Sequence, residues 1–201
     1  MVAVMAGFSY VFLWSRRPDL WQAPPEMGTL IQVVGLCAAA ALLQRGFTVD
    51  IFEQADELRE VGAGIQISPN GNRALDSVGA FAWLRQQSCK AERKEVRLWN
   101  SGKTWKLFDL GPVAIERYGY PYLTVYRPDL LKSLTDVDMR LDPKALHLNS
   151  KIASYVEKNG RVLLTLENGS TIEGDALIGC DGVNSVVRRI ATGEEGPPRF
   201  P

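Results

Sequence analysis

The stretch that most restricts what this chain can become is residues 35–54, GLCAAAALLQRGFTVDIFEQ. It reads as a helix, a tight turn, a buried strand and an acid. Ala38, Ala39, Ala40 and Ala41 are strong helix formers with almost no side chain, so this helix can lie very close to a sheet. Gly46 stands where a chain leaving a helix turns left-handed. Phe47, Val49, Ile51 and Phe52 form a β-branched and aromatic run that predicts an interior strand. Glu53 ends it. In a dinucleotide-binding unit, an acid at the end of the second strand accepts hydrogen bonds from an adenosine ribose, whose two hydroxyls are donors. The plainer alternative is a solvated acid at a strand tip.

Such a helix is normally preceded by a strand and a G-x-G-x-x-G loop, whose backbone N–H groups approach a pyrophosphate at the helix N-terminus. Residues 29–34, TLIQVV, predict the strand, but Gly35 alone remains of the glycines. It can fill the last position, where helix and strand pack closely. Residues 1–27 differ in character from the rest of the chain. Residues 1–14 are largely apolar, then come Arg16, Arg17 and a proline-rich piece. The apolar run falls short of the roughly 20 residues that span a bilayer. It also lacks the basic start and small-residue cleavage site of a secretory signal. The expectation is a non-homologous leader over 1–27 that replaces the native first strand and glycine loop, with no firm membrane segment.

The 201 residues suffice for one domain, or for one domain and part of a second. A hydrophobic content of 46% with 23% charged residues is that of a globular protein. The 23 basic and 23 acidic residues cancel, which argues against nucleic acid or an anionic membrane surface as the main partner. Cys37, Cys89 and Cys180 are far apart and odd in number. They form neither a metal-spaced cluster nor a disulfide framework, so no metal and a reducing, cytoplasmic location are expected. One histidine, His147, argues against a His-based metal site or a Ser-His-Asp triad.

After Glu53, Gly62 and Gly64 mark residues 54–67 as a backbone-exposing loop, and Ser68 and Pro69 open a helix that stops at Gly79. A second short helix covers 81–87. From residue 94 the period changes to two. Residues 95–99 and 104–108 predict a β-hairpin, and 122–126 a further strand. Arg127 comes next, and a helix opens at Pro128 and covers 128–134. Residues 146–148 predict a brief strand. Residues 152–157 and 162–166 pair across Asn159-Gly160, and Asn168-Gly169 turns into a third strand. Residues 176–179 predict a buried strand ending in Cys180, Asp181 and Gly182, before a helix over 183–191.

That last unit puts the Asp181 carboxylate at the carboxyl edge of a sheet, where α/β folds bind ligands. Asp181 can accept from a ribityl or ribose hydroxyl, anchor Arg188, or simply cap the helix. Arg127, directly after a strand, can reach a phosphate or a flavin edge, or lie on the surface.

Taken together, four ordered segments resemble the amino-terminal half of a class A flavoprotein monooxygenase, of the salicylate hydroxylase and 6-hydroxynicotinate 3-monooxygenase type. They are GLCAAAALLQRGFTVDIFEQ, REVGAGIQISPNGNRALDSVGA, YGYPYLTVYRPDLL and GDALIGCDGVNSVVRR, and the likeness covers about 35–189. It implies an α/β fold, a Rossmann-like FAD-binding domain (βαβ, mixed sheet) over 28–201 with part of a β-rich substrate domain at 94–126. It implies FAD, NAD(P)H as co-substrate, and hydroxylation of a small aromatic acid. By resemblance Gly35 is the last glycine of the phosphate loop and Glu53 the ribose acid. Gln66 faces flavin or substrate. Arg127 is the FAD-contacting arginine of an H-R-x-D-L segment in which Tyr126 replaces the His. Ile152 lies where backbone meets adenine, and Asp181 and Gly182 form the Asp-Gly motif that supports FAD and pyridine nucleotide. The glycine loop is missing, and the later Gly-Asp motif, the substrate sheet and the distal catalytic residues would lie beyond Pro201. The chain therefore reads as an incomplete monooxygenase whose catalytic residues and oligomeric state the sequence leaves open.

Two other readings compete. One is a non-catalytic fragment of such an enzyme that binds no FAD. The other is a plain NAD-dependent dehydrogenase, against which the hairpin region, the late Asp-Gly unit and the lack of a Tyr-x-x-x-Lys pair all argue.

Overall fold

The computed structural model describes residues 25–58, 64–182 and 185–193, with side chains from residue 32 onward. The mixture is α/β, with both parallel and antiparallel pairing. The chain divides into two compact units, one formed by residues 1–61 and 134–201 and the other by 62–133.

The first unit opens with helix α1, Pro25–Leu43. Its buried stripe, Gln32, Gly35, Leu36, Ala39 and Ala40, has helical spacing, and the alanines allow the close approach their composition promised. The helix ends as its sequence dictates. Gly46 adopts φ +82°, its N–H reaches the Leu43 carbonyl, and the Phe47 N–H reaches back to Leu42. These two bonds satisfy carbonyls that the last turn leaves open. Strand β1, Ile51–Phe52, then pairs in parallel with β7, Leu146–His147.

Three antiparallel strands complete this unit: β8 (Ile152–Lys158), β9 (Arg161–Leu166) and β10 (Thr171–Gly174). Asn159 and Gly160 both have positive φ, 55° and 73°, the backbone of the type I′ turn that suits strand twist. Phe52, Ile152, Tyr155, Leu164 and Leu166 form one core, on which Leu177, Val186 and Val187 pack. The last two belong to helix α6, Val186–Thr192.

In the second unit β2 (Gly64–Ile67), β6 (Leu123–Tyr126) and β3 (Cys89–Lys90) make an antiparallel sheet in the order β2-β6-β3. Helices α2 (Pro69–Ser77) and α3 (Phe81–Gln87) bury Leu75, Phe81 and Leu84. Asn72, fully buried, donates to the Pro121 carbonyl at 2.9 Å and ties α2 to the entry of β6. Strands β4 (Arg93–Arg97) and β5 (Thr104–Asp109) form a separate ribbon followed by α4, Pro112–Tyr118. Helix α5, Arg127–Leu141, runs across the boundary between the units.

Four local expectations are corrected. Residues 29–34 are not a strand but part of α1. Helix growth is cooperative once nucleated, and without a glycine loop nothing stops the alanine-rich helix from extending back to Pro25, which is tolerated at the first position. Residues 176–179 lie in no ladder and are half-buried or exposed, although their composition suits a strand. A strand needs a neighbour for its N–H and C=O groups, and the segment expected to be the first strand is helical. Residues 64–67 pair with β6 rather than forming loop, and α5 outlasts its expected end by seven residues, Leu134 to Leu141. Residues 1–24, 59–63 and 183–184, which carry most of the expected leader, Gly62 and the start of the last helix, lie outside the described residues. Among those described, no helix is long and apolar enough to cross a membrane.

Candidate functional site

Glu53 stands at the carboxyl end of β1, where a parallel strand delivers its last side chain toward a ligand crevice. Its backbone is clamped: the N–H donates to the His147 carbonyl at 2.9 Å, and its carbonyl accepts from the Ser150 N–H at 2.7 Å. The carboxyl is 0% exposed. Oε1 accepts from the Ala55 N–H at 2.9 Å, and Oε2 has no partner among the described residues. Burial pushes this carboxyl up to about 8, against the pull of the Ala55 and Gln54 N–H groups. A buried acceptor left unpaired is costly, so Oε2 is poised to take a hydroxyl donor.

Asp181 is also buried, yet its oxygens are engaged. Oδ1 accepts from the Ser185 hydroxyl at 2.5 Å and Oδ2 from the Val187 N–H at 3.1 Å. Ser185 Oγ in turn accepts from the Arg188 N–H at 2.8 Å, so the pair caps α6. Burial raises the Asp181 carboxyl above the usual range, while these bonds pull the other way. Gly182 adopts a left-handed φ of +75°, and its carbonyl accepts from the Ser185 N–H at 3.1 Å. Gly179 is tight against α6: a Cβ there would stand 2.9 Å from Val187. Ile152, buried at the start of β8, belongs to the core that holds both Phe52 and Val187. Glu53 and Asp181 are thus each one or a few residues from the same apolar cluster.

Gly35 sits in the interior of α1, on its buried stripe, with the helix continuing ten residues before it. Its N–H faces the helical ladder, so the position can serve close packing but no helix N-terminus lies there. In the second unit, Arg127 is the first residue of α5, buried at 9% exposure, and its Nε has no partner among the described residues. Gln66, exposed on β2, accepts from the Tyr122 hydroxyl at 3.0 Å through Oε1.

Gln32 and Asp138 are buried polar residues that residue type and spacing did not single out. Gln32 is 1% exposed with both amide atoms unpaired among the described residues. Asp138 is 2% exposed with neither oxygen paired among the described residues, and burial pushes it up to about 8. Cys37 is pushed up to about 11, by burial first and then by the Asp138 charge. The signal for Asp138 was present: Leu130, Leu134 and Asp138 share one face at i, i+4 spacing.

No family model matches the chain. Single relatives do. It is 40% identical over 157 residues to 3-amino-4-hydroxybenzoate 2-monooxygenase of Streptomyces cremeus, covering 78% of this chain and 39% of that protein. It is 35% identical over 164 residues to 6-hydroxynicotinate 3-monooxygenase of Pseudomonas fluorescens, covering 81% and 42%. The chain is a homologue of the FAD-dependent aromatic monooxygenases. Solved structures are similar too. Klebsiella pneumoniae HpxO, complexed with FAD and uric acid, superposes with TM-score 0.68 at 28% identity, over 79% of this chain and 39% of that one. Tetrameric 2-methyl-3-hydroxypyridine-5-carboxylic acid oxygenase gives 0.65 at 28% identity, over 92% and 40%. The chain therefore spans about two fifths of the length of the monooxygenases it matches, and its fold corresponds to that part of them.

Proposed function

We propose that this chain is the FAD-binding portion of an aromatic monooxygenase that consumes NAD(P)H and hydroxylates a small aromatic acid. The observation that carries the reading is the buried, unpaired Oε2 of Glu53 at the end of a parallel strand. It fits an adenosine ribose hydroxyl, and Arg127 Nε, unpaired among the described residues, is of the chemistry that bonds an anionic or carbonyl group. Asp181 and Gly182 would shape the backbone near the flavin, Gln66 would face flavin or substrate, and Ile152 would back the adenine. FAD supplies the oxygen chemistry when bound, and the protein's task is to hold it, orient it and exclude water. Expression in the cytoplasm of a bacterial host and a visible spectrum of the purified protein test this. A yellow protein with near-stoichiometric flavin supports it. A colourless protein that stays colourless after incubation with FAD counts against it.

One observation favours the reading of a fragment that binds no FAD. With α1 continuous through Gly35, the described residues offer no glycine loop to meet a pyrophosphate. Two missing charge-assisted hydrogen bonds, at about 1.5–3 kcal/mol each, would weaken binding by two to four orders of magnitude. NADH oxidation without flavin would favour a dehydrogenase instead.

A further inference from the structure

One short segment, residues 147–150, grips the Glu53 corner at three places. The His147 carbonyl accepts from the Glu53 N–H at 2.9 Å, the Asn149 N–H donates to the Ala55 carbonyl at 2.9 Å, and the Ser150 N–H donates to the Glu53 carbonyl at 2.7 Å. Ala55 closes the circuit, because its own N–H donates to Glu53 Oε1. Consecutive residues of an extended strand point to opposite sides, so the N–H groups of 149 and 150 both face residues 53–55 only because the chain bends there. The bend lies at Asn149, whose φ of +53° is left-handed. That conformation is costly for a residue with a branched Cβ and is tolerated by glycine and asparagine. Asn149 is exposed, so core packing does not explain its identity, whereas the backbone does. The Ser150 hydroxyl braces the bend by donating to the Leu148 carbonyl at 3.0 Å. His147 anchors the segment to β1: its ring stacks on Phe52 with centroids 5.0 Å apart, and its Nε2 lies 2.7 Å from Asp50 Oδ1.

The two Glu53 oxygens are thereby given different tasks. Oε1 is tied to Ala55, which is tied to residue 149, so the carboxyl is held from swinging and Oε2, unpaired among the described residues, is the atom turned to a ligand. We propose that Asn149, through its left-handed backbone, is a positioning residue for Glu53: it keeps Ala55 on Oε1 and so presents Oε2 to a ligand carrying a vicinal diol, the adenosine ribose of FAD. Holding the reading atom before the ligand arrives removes an ordering cost from binding. The ligand half of this inference rests on the flavin reading, and the hold on Glu53 does not.

The test compares the parent chain of residues 1–201 with Asn149→Gly and Asn149→Val. The Glu53 carboxyl is titrated by NMR in protein labelled with 13C-glutamate, its signal assigned through Glu53→Gln, and FAD affinity is read by flavin fluorescence. Glycine reaches the left-handed bend without strain and should match the parent in both readouts. Valine should disengage Ala55 from Oε1. That N–H pulls the Glu53 carboxyl down against burial, so its loss should move the midpoint further up from about 8. The Kd for FAD should rise about tenfold in the same variant. Far-UV circular dichroism checks the fold, and Asn149→Ala replaces the valine variant if that one does not fold. An unchanged midpoint in Asn149→Val overturns the proposal. So does a fall toward the ordinary 4.5, the sign of a corner that has simply opened to water, or an equal shift in Asn149→Gly. A raised midpoint with FAD affinity equal in all three chains overturns it as well. If even the parent binds no FAD, the flavin reading fails, while the Glu53 midpoint still decides whether Asn149 positions that carboxyl.

Discussion

Gln32 is a buried amide with four unmet hydrogen-bonding opportunities, and in folded proteins such a group is a liability of about 1–3 kcal/mol. Replacing Gln32 by Leu, of similar volume, should raise stability by about that amount in urea melts. A lower midpoint would mean that a partner for Gln32 exists. The acids make a second prediction. In the unfolded chain Glu53 and Asp138 lose their protons near their ordinary values of 4.5 and 3.8, while burial holds both up to about 8 in the fold. The folded state therefore binds more protons between these limits, and stability falls as pH rises from about 4 to about 8. The slope approaches, at most, about 1.4 kcal/mol per pH unit for each group. Asp138→Leu should remove roughly half of the slope and raise stability most at pH 8. A flat profile in the parent protein would refute the buried-acid account. At the proposed ribose contact the same physics predicts coupling: hydroxyl donors favour ionised Glu53, so FAD should bind more tightly as pH rises toward 8, with proton release on binding.

At the scale of elements, tight turns were the most legible feature. Asn159-Gly160 has few backbone options between two β-branched runs, and the structure gives the positive φ pair that the dipeptide favours. Gly46 and Gly79 likewise end their helices in left-handed conformations, because local residues alone decide those bends. Residues 29–34 and 176–179 were misjudged for the opposite reason. A strand's existence depends on a distant partner, which composition cannot reveal. The close fit of α6 was equally invisible until Gly179 and Val187 were seen together. Gly179→Ala would force a Cβ to 2.9 Å from Val187 and should cost about 1–3 kcal/mol, with loss of α6 protection in amide exchange. Unchanged protection would show that α6 is held by its Ser185 and Asp181 cap alone.

For the whole molecule, homology and site chemistry carry different weight. The family was legible from four ordered motifs, and the 40% identical relative bears it out. The candidate residues were legible by type alone: Glu53 at a strand end, Asp181 before a helix, Arg127 after a strand. What could not be read was their state, because burial and unpaired atoms belong to the packed chain. The order of strand, turn and acid placed Glu53, whereas only the fold shows that one of its oxygens has no partner among the described residues. The central claim is that this oxygen awaits a flavin nucleotide, and a titration of the purified chain with FAD, followed by flavin fluorescence at pH 8, tests it most directly. The account predicts saturable binding that weakens about tenfold or more in Glu53→Gln while the circular dichroism spectrum is unchanged. Equal binding by the parent and the Glu53→Gln variant, or no saturable binding by either, would contradict it.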